Sequence, residues 1–219
     1  MRNALIVAFV ASLSALVLAQ DATKTDPTHY KVVLENASVR VLRISYAAGA
    51  KSEKHSHPDA IVVALSASKP TFILPDGTSQ VSDLANESAM FTPAVTHTVM
   101  NGPSPVDSLL IEFKGAAAGK AALPTSRPGM TLKTLADSPR AVASLSTAAA
   151  TFAEPAGSKH DFDQVVIALG PSPLSLSVDG QPTKTTWARG DAAFIGRGVA
   201  HESKNTGGKP SDMIIVSIR

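Results

Sequence analysis

His55 and His57 stand one residue apart, and a third histidine, His97, follows far along the chain. On a β-strand, side chains two positions apart project from the same face. The segment around His55-Ser56-His57 reads as such a strand, so both rings point the same way. A closed barrel brings distant strands together, and that would carry His97 to the pair. Imidazole is a common ligand for zinc, iron, copper and nickel. The pattern therefore predicts a metal site at His55, His57 and His97, but not the reaction that it serves. The alternative is that these are surface or hydrogen-bonded core histidines; three of the 6 histidines fall in the pattern.

The elements that must position these rings are short strands separated by turns. Val39 to Tyr46 alternates apolar and polar residues over part of its length, as a half-buried strand does. Ile61 to Leu65 is a continuous apolar run, consistent with a buried strand. Phe72-Ile73-Leu74 runs into the turn Pro75-Asp76-Gly77. Turn signals at this density predict an all-β sandwich or barrel.

The pattern also occurs twice. Ile61-Val62-Val63-Ala64-Leu65 reappears as Val165-Val166-Ile167-Ala168-Leu169, and Pro75-Asp76-Gly77 as Val178-Asp179-Gly180. His97 with Asn101 reappears as His201 with Asn205, and Asp107 to Lys114 as Asp212 to Arg219. The order is the same in both copies, which predicts a duplicated domain. The expected division is a leader over 1–19, a first barrel over 28–114, a linker over 115–139 and a second barrel over 140–219. The linker is rich in Ala, Gly, Pro, Ser and Thr. Its stretch Ala116 to Leu123 reads as plain linker, with a helical turn or two as the alternative.

These residues resemble the cupin superfamily in its two-domain, bicupin form. The first cupin motif opens Gly, five residues, His-x-His, and Gly49 to His57 matches that spacing. The second motif ends in His, three residues, Asn, as in Pro93 to Asn101; in the second copy Gly190 to Asn205 is similar to it. The resemblance covers most of the chain after the leader. It implies two tandem double-stranded β-helix (jelly-roll) barrels. The glutamate that the first motif usually supplies falls here at Ile61 or Val62, neither of which binds metal. The resemblance therefore implies a site of three histidines only, His55, His57 and His97, holding one divalent transition metal; Fe, Mn, Zn and Ni are not distinguished. Similar three-histidine iron sites are known among cupins, in thiol dioxygenases and a diketone-cleaving dioxygenase. The Cys–Tyr crosslink of the former is impossible here, since the cysteine count is 0.

Three neutral imidazoles leave a divalent ion its full charge, which favours an anionic or enolisable substrate or a bound hydroxide. The second copy keeps only His160 of the pair, together with His201. These two with Asp161, Asp163 or Gln164 would make a 2-His plus oxygen-ligand site; the alternative is a barrel whose site has decayed. Glu112 alternates with apolar neighbours and is expected to face solvent, with an acid/base group in the barrel interior as the alternative. Trp187 is expected to pack in or between the barrels. Asp59 reads as a turn residue, and His29 matches no motif.

Met1 to Gln20 reads as a secretory signal: Arg2 is basic, Leu5 to Leu18 is almost wholly apolar, and cleavage is expected after Ala19. An uncleaved anchor is the alternative. Export implies a periplasmic or secreted location. The formal charge of +2 with no basic run gives no electrostatic case for nucleic acid. No membrane association is expected after cleavage. A small-molecule ligand is the expected partner, with a homo-oligomer left open. Three functions fit: an oxygen- or water-activating enzyme, a non-catalytic metal- or ligand-binding protein, and a structural module.

Overall fold

The structure is a computed structural model that describes residues 20–116 and 123–219. The leader expected over 1–19, and most of the Ala-rich stretch after Ala116, lie outside the described residues. A short helix, α1 (Ala22–Thr25), is capped by the Asp21 side chain and precedes the first barrel. That barrel runs through β1 (Tyr30–Glu35), β2 (Val39–Tyr46), β3 (His55–His57), β4 (Ala60–Ala64), β5 (Thr71–Ile73), β6 (Ser79–Val81), β7 (Ala89–Thr92), β8 (Val95–Met100) and β9 (Val106–Phe113). The second runs through β10 (Met130–Asp137), β11 (Ala141–Ala148), β12 (Ala153–Ser158), β13 (Asp163–Ala168), β14 (Leu174–Val178), β15 (Gln181–Lys184), β16 (Ala192–Ile195), β17 (His201–Asn205) and β18 (Ser211–Ile218).

The sheets of the first barrel have the orders β1-β2-β9-β4-β7 and β3-β8-β5-β6. Those of the second are β10-β11-β18-β13-β16 and β12-β17-β14-β15. Each strand of the second thus takes the place of the strand nine before it. The all-β, two-barrel jelly-roll expectation is what the chain adopts, and even the β1 bulge near Val32 recurs in β10 near Thr134. The stretch 115–139, expected as connection, contains β10, which pairs with β11 along its whole length. Its Met130-Thr131-Leu132-Lys133-Thr134-Leu135 alternation buries Leu135 against the core while polar side chains face out.

The two barrels share one apolar core. Val39, Val41, Ile61, Val63, Leu109 and Ile111 of the first meet Ala143, Val165, Ile167, Ile214 and Val216 of the second. This explains why β9 and β18 read as near-continuous apolar runs. One face lines their own barrel and the other faces the partner barrel, so both are buried. Arg189 ties the halves together. Its guanidinium donates to the carbonyls of Leu65 and Leu169 and to the Glu87 and Asn86 side chains. Gly190 next to it has φ +81°, a conformation that favours glycine, and a Cβ there would run into the Arg43 guanidinium and the tip of Leu65 from the first barrel.

Candidate metal centres in the two barrels

Strands β3 and β8 pair with His55 directly opposite His97. The three expected histidines therefore meet on one wall of the first barrel, at 1%, 7% and 6% exposure for His55, His57 and His97. His55 Nδ1 lies 2.8 Å from the Glu53 carbonyl and His57 Nδ1 2.8 Å from the Pro58 carbonyl. A carbonyl only accepts, so each Nδ1 carries the proton and each Nε2 presents a lone pair. Such an outer hydrogen bond is how metal-binding histidines are usually oriented. Burial holds all three rings below the ordinary imidazole pKa; His97, with His55 and His57 beside it, is lowered to about 3. All three are neutral at physiological pH, as metal ligation needs.

His97 Nε2 lies 3.1 Å from His55 Nε2. Two ligands at metal–nitrogen distances of about 2.1 Å stand roughly 3.0–3.4 Å apart, so this pair has the spacing of one edge of a coordination polyhedron. His57 stands further off, its ring centre 5.1 Å from that of His97.

Two further residues complete the site, and sequence reasoning passed over both. Tyr30 Oη lies 2.9 Å from His55 Nε2, and Tyr46 Oη donates to Tyr30 Oη at 2.6 Å. With His55 protonated at Nδ1, Tyr30 must be the donor to Nε2. Burial, with Tyr46 alongside, keeps the Tyr30 phenol protonated far above neutrality. His29, which matched no motif, stacks on Tyr46 with ring centres 4.3 Å apart and is held by Asp26 at 2.8 Å. The one available signal was scarcity: the chain has only 2 tyrosines, and both are here.

The rings open on a cavity of about 400 Å³ inside the first barrel. Ile44, Val62, Phe72, Leu84, Met90 and Leu110 form much of its wall, and no Asp, Glu, Lys or Arg lines it. Phe72 stacks on His97 at 5.2 Å. Glu112 corrects the expectation of a solvent-facing side chain. It is 2% exposed and paired with Arg40 at 2.6 Å, because its strand is buried on both faces. Asp59 accepts from the Ala94 backbone and touches no imidazole.

The second barrel is built otherwise. Its interior is filled by Phe152, Leu174, Leu176, Trp187, Met213 and Ile215. Trp187 thus packs within this barrel, its Nε1 donating to the Leu174 carbonyl at 2.6 Å. His160 and His201 do come together, with ring centres 4.7 Å apart. Their acidic neighbour is not one of the oxygen ligands expected from sequence. It is Glu154, whose carboxylate lies 3.5 Å from His160 Nε2 and 3.4 Å from His201 Nε2. Asp163 instead accepts from the Arg197 backbone, and Gln164 from Arg127. Donor atoms of Glu154, His160 and His201 all lie within 4.8 Å of one another, a spacing that could hold a metal ion. Among the described residues no other trio of His, Cys, Asp or Glu draws so tight, His55, His57 and His97 included.

No family model matches the chain, and neither does any curated protein. Solved structures do. A "Cupin 2 conserved barrel domain protein" from Leptotrichia buccalis aligns over 87% of this chain and 88% of its own, at 13% identity and TM-score 0.55. An oxalate decarboxylase from B. subtilis aligns over 86% and 71%, at 11% identity and TM-score 0.59. The Lactobacillus farciminis oxalate decarboxylase in a formate complex aligns over 83% and 77%, at 11% identity and TM-score 0.58. Mn(II) centres are named for a B. subtilis oxalate decarboxylase. At these identities the likeness concerns the fold: this chain has the cupin jelly roll, twice.

Proposed function

We propose that the chain is an exported two-barrel metalloprotein whose first barrel holds one divalent transition ion on His55, His57 and His97 and activates oxygen or water toward a small molecule. The observation that carries this reading is the pair of anchored imidazoles. His55 and His57 each spend Nδ1 on a backbone carbonyl, which turns Nε2 toward the chamber, where that of His55 accepts from Tyr30 in the metal-free protein. Export rests on the leader sequence before Gln20. Bound there, an ion would supply Lewis acidity and, if redox-active, a centre for oxygen.

The chain's own residues set the rest. The apolar wall takes up the body of the substrate and excludes water. No charged side chain lines the chamber, and Gln80, Ser82, Thr92 and Ser108 are its neutral polar residues beside the tyrosines, so the imidazoles at the histidine end are the partners best suited to a substrate's oxygen-bearing group. This narrows the expected anionic or enolisable substrate to an apolar molecule with one such group. Tyr30 is the proton donor in reach of that group, with Tyr46 behind it.

The same bare wall favours a second reading, binding without turnover, because it carries no carboxylate or lysine to serve as general base. Elemental analysis of untagged protein beside His55→Ala/His57→Ala tests both. Loss of one equivalent of metal in the variant is expected. Equal metal content in the two proteins would sink both readings. Oxygen uptake with small enolisable substrates then divides enzyme from binder.

A further inference from the structure

We infer that Glu154, His160 and His201 form a second divalent-cation site, three protein ligands with a structural role and a fourth position left to water, at the mouth of the filled second barrel. The carboxylate oxygens face His160 Nε2 at 3.5 Å and His201 Nε2 at 3.4 Å, and both nitrogens are buried without a hydrogen-bond partner. His201 is 2% exposed. Its Nδ1 lies 3.3 Å from the Val199 carbonyl, so Nδ1 carries a proton and the neutral ring has its lone pair on Nε2. A lone pair then faces a carboxylate oxygen, and a cation between them resolves the repulsion. The spacing suits one: bonds of about 2.1 Å in a tetrahedral arrangement set ligand atoms roughly 3.4 Å apart.

The backbone is shaped to deliver the carboxylate. Across the β12–β17 ladder Glu154 pairs with Ser203 and Ser158 with His201, so four steps on one strand match two on the other. The excess is a bulge at Pro155-Ala156-Gly157, with Gly157 at φ +88°. Bulges of this kind re-aim side chains. Glu154 precedes His160, whereas the cupin motif places its glutamate after the histidine pair, so this is a different ligand set.

Arg127, whose charge acts on Glu154, makes no ion pair with it. Its guanidinium donates to Gln164 Oε1 at 3.0 Å and stands 5.6 Å from the Phe162 ring centre. Both Glu154 oxygens stay with the histidines. Packing points to a structural role: Phe152, Leu174, Leu176, Trp187, Met213 and Ile215 pack together inside this barrel, and the pocket lined by Arg127 and Ile215 holds about 10 Å³, room for no more than a water. Two imidazoles and one carboxylate suit zinc and its first-row neighbours.

The test uses the full chain carrying His55→Ala/His57→Ala, stripped of metal and dialysed against Zn²⁺ or, separately, Co²⁺. One equivalent should bind, with the visible absorption of cobalt held by imidazole, and the melting temperature should rise by several degrees. Adding Glu154→Gln should abolish all three effects; His160→Gln repeats the test should that variant fold poorly by circular dichroism. Glu154→Gln alone should keep the equivalent held by the first barrel, so the two sites fail separately. No uptake of either ion in the His55→Ala/His57→Ala protein, or undiminished uptake after Glu154→Gln and His160→Gln, overturns the inference. The first result would mean that a proton bridges the cluster instead.

Discussion

Tyr30 Oη donates to the same His55 nitrogen that a metal ion would occupy, across 2.9 Å. The two uses of that lone pair exclude each other. The metal-free protein is stabilised by the hydrogen bond, and binding an ion must break it. Tyr30→Phe should therefore lower the stability of the metal-free protein by about 1–2 kcal/mol, the cost of one buried hydrogen bond with Tyr46 left unpaired. It should also tighten metal binding several-fold. Chelator competition on wild type and variant measures the second effect. Weaker binding in the variant would instead assign Tyr30 to the metal-bound state.

Glu112 gives a prediction with a definite sign in pH. Burial raises its carboxyl above the ordinary 4.5, and the charge of Arg40 only partly offsets this. The folded chain thus keeps this proton to higher pH than the unfolded chain. The contribution to stability is full below the unfolded value and is lost as pH rises through the folded one. Glu112→Gln cannot lose the proton. It should match wild type at about pH 4 and gain on it by about pH 7.5 in denaturant unfolding. A variant that falls further behind at the higher pH would show that the ion pair with Arg40 outweighs burial.

The chamber in the first barrel predicts that space and metal can be separated. Val62 lines the cavity on the wall formed by β4. Val62→Phe would fill part of the volume without touching a histidine. Metal content should be unchanged, while affinity for small apolar ligands should fall by at least about tenfold, or roughly 1.4 kcal/mol. Unaltered ligand affinity would place the binding site elsewhere.

Arg189 donates to a backbone carbonyl in each barrel. Arg189→Ala leaves the Leu65 and Leu169 carbonyls short of a charged donor, and should cost about 2–3 kcal/mol. Differential scanning calorimetry reads the loss; a change within about 0.5 kcal/mol would mean that the shared apolar core alone holds the halves together.

Much of this molecule was legible in its residues. The period between Ile61 and Val165, and between His97 and His201, announced two copies of one fold, because core strands and their turns tolerate little change. His55, His57 and His97 were legible because a strand's period of two is short-range and a histidine pair is rare. Glu154 was not, since its approach to His160 depends on the Pro155-Ala156-Gly157 bulge rather than on a spacing. Tyr30 and Tyr46 were hidden for a similar reason: they sit on the paired strands β1 and β2 and reach His55 from one sheet of the barrel to the other. Glu112 was misplaced because alternation assumes one wet face, and β9 has none.

That doubly buried strand has a consequence for how such a chain can change. The outer face of each five-stranded sheet is apolar and is covered only by its twin. Either barrel alone would present that face to water and invite association with other copies. The second barrel is therefore needed to cover the first, whatever it binds itself. Its interior is filled by Trp187 and Met213, while its outer face packs on that of the first barrel. Deleting it would leave the first barrel with half of a core.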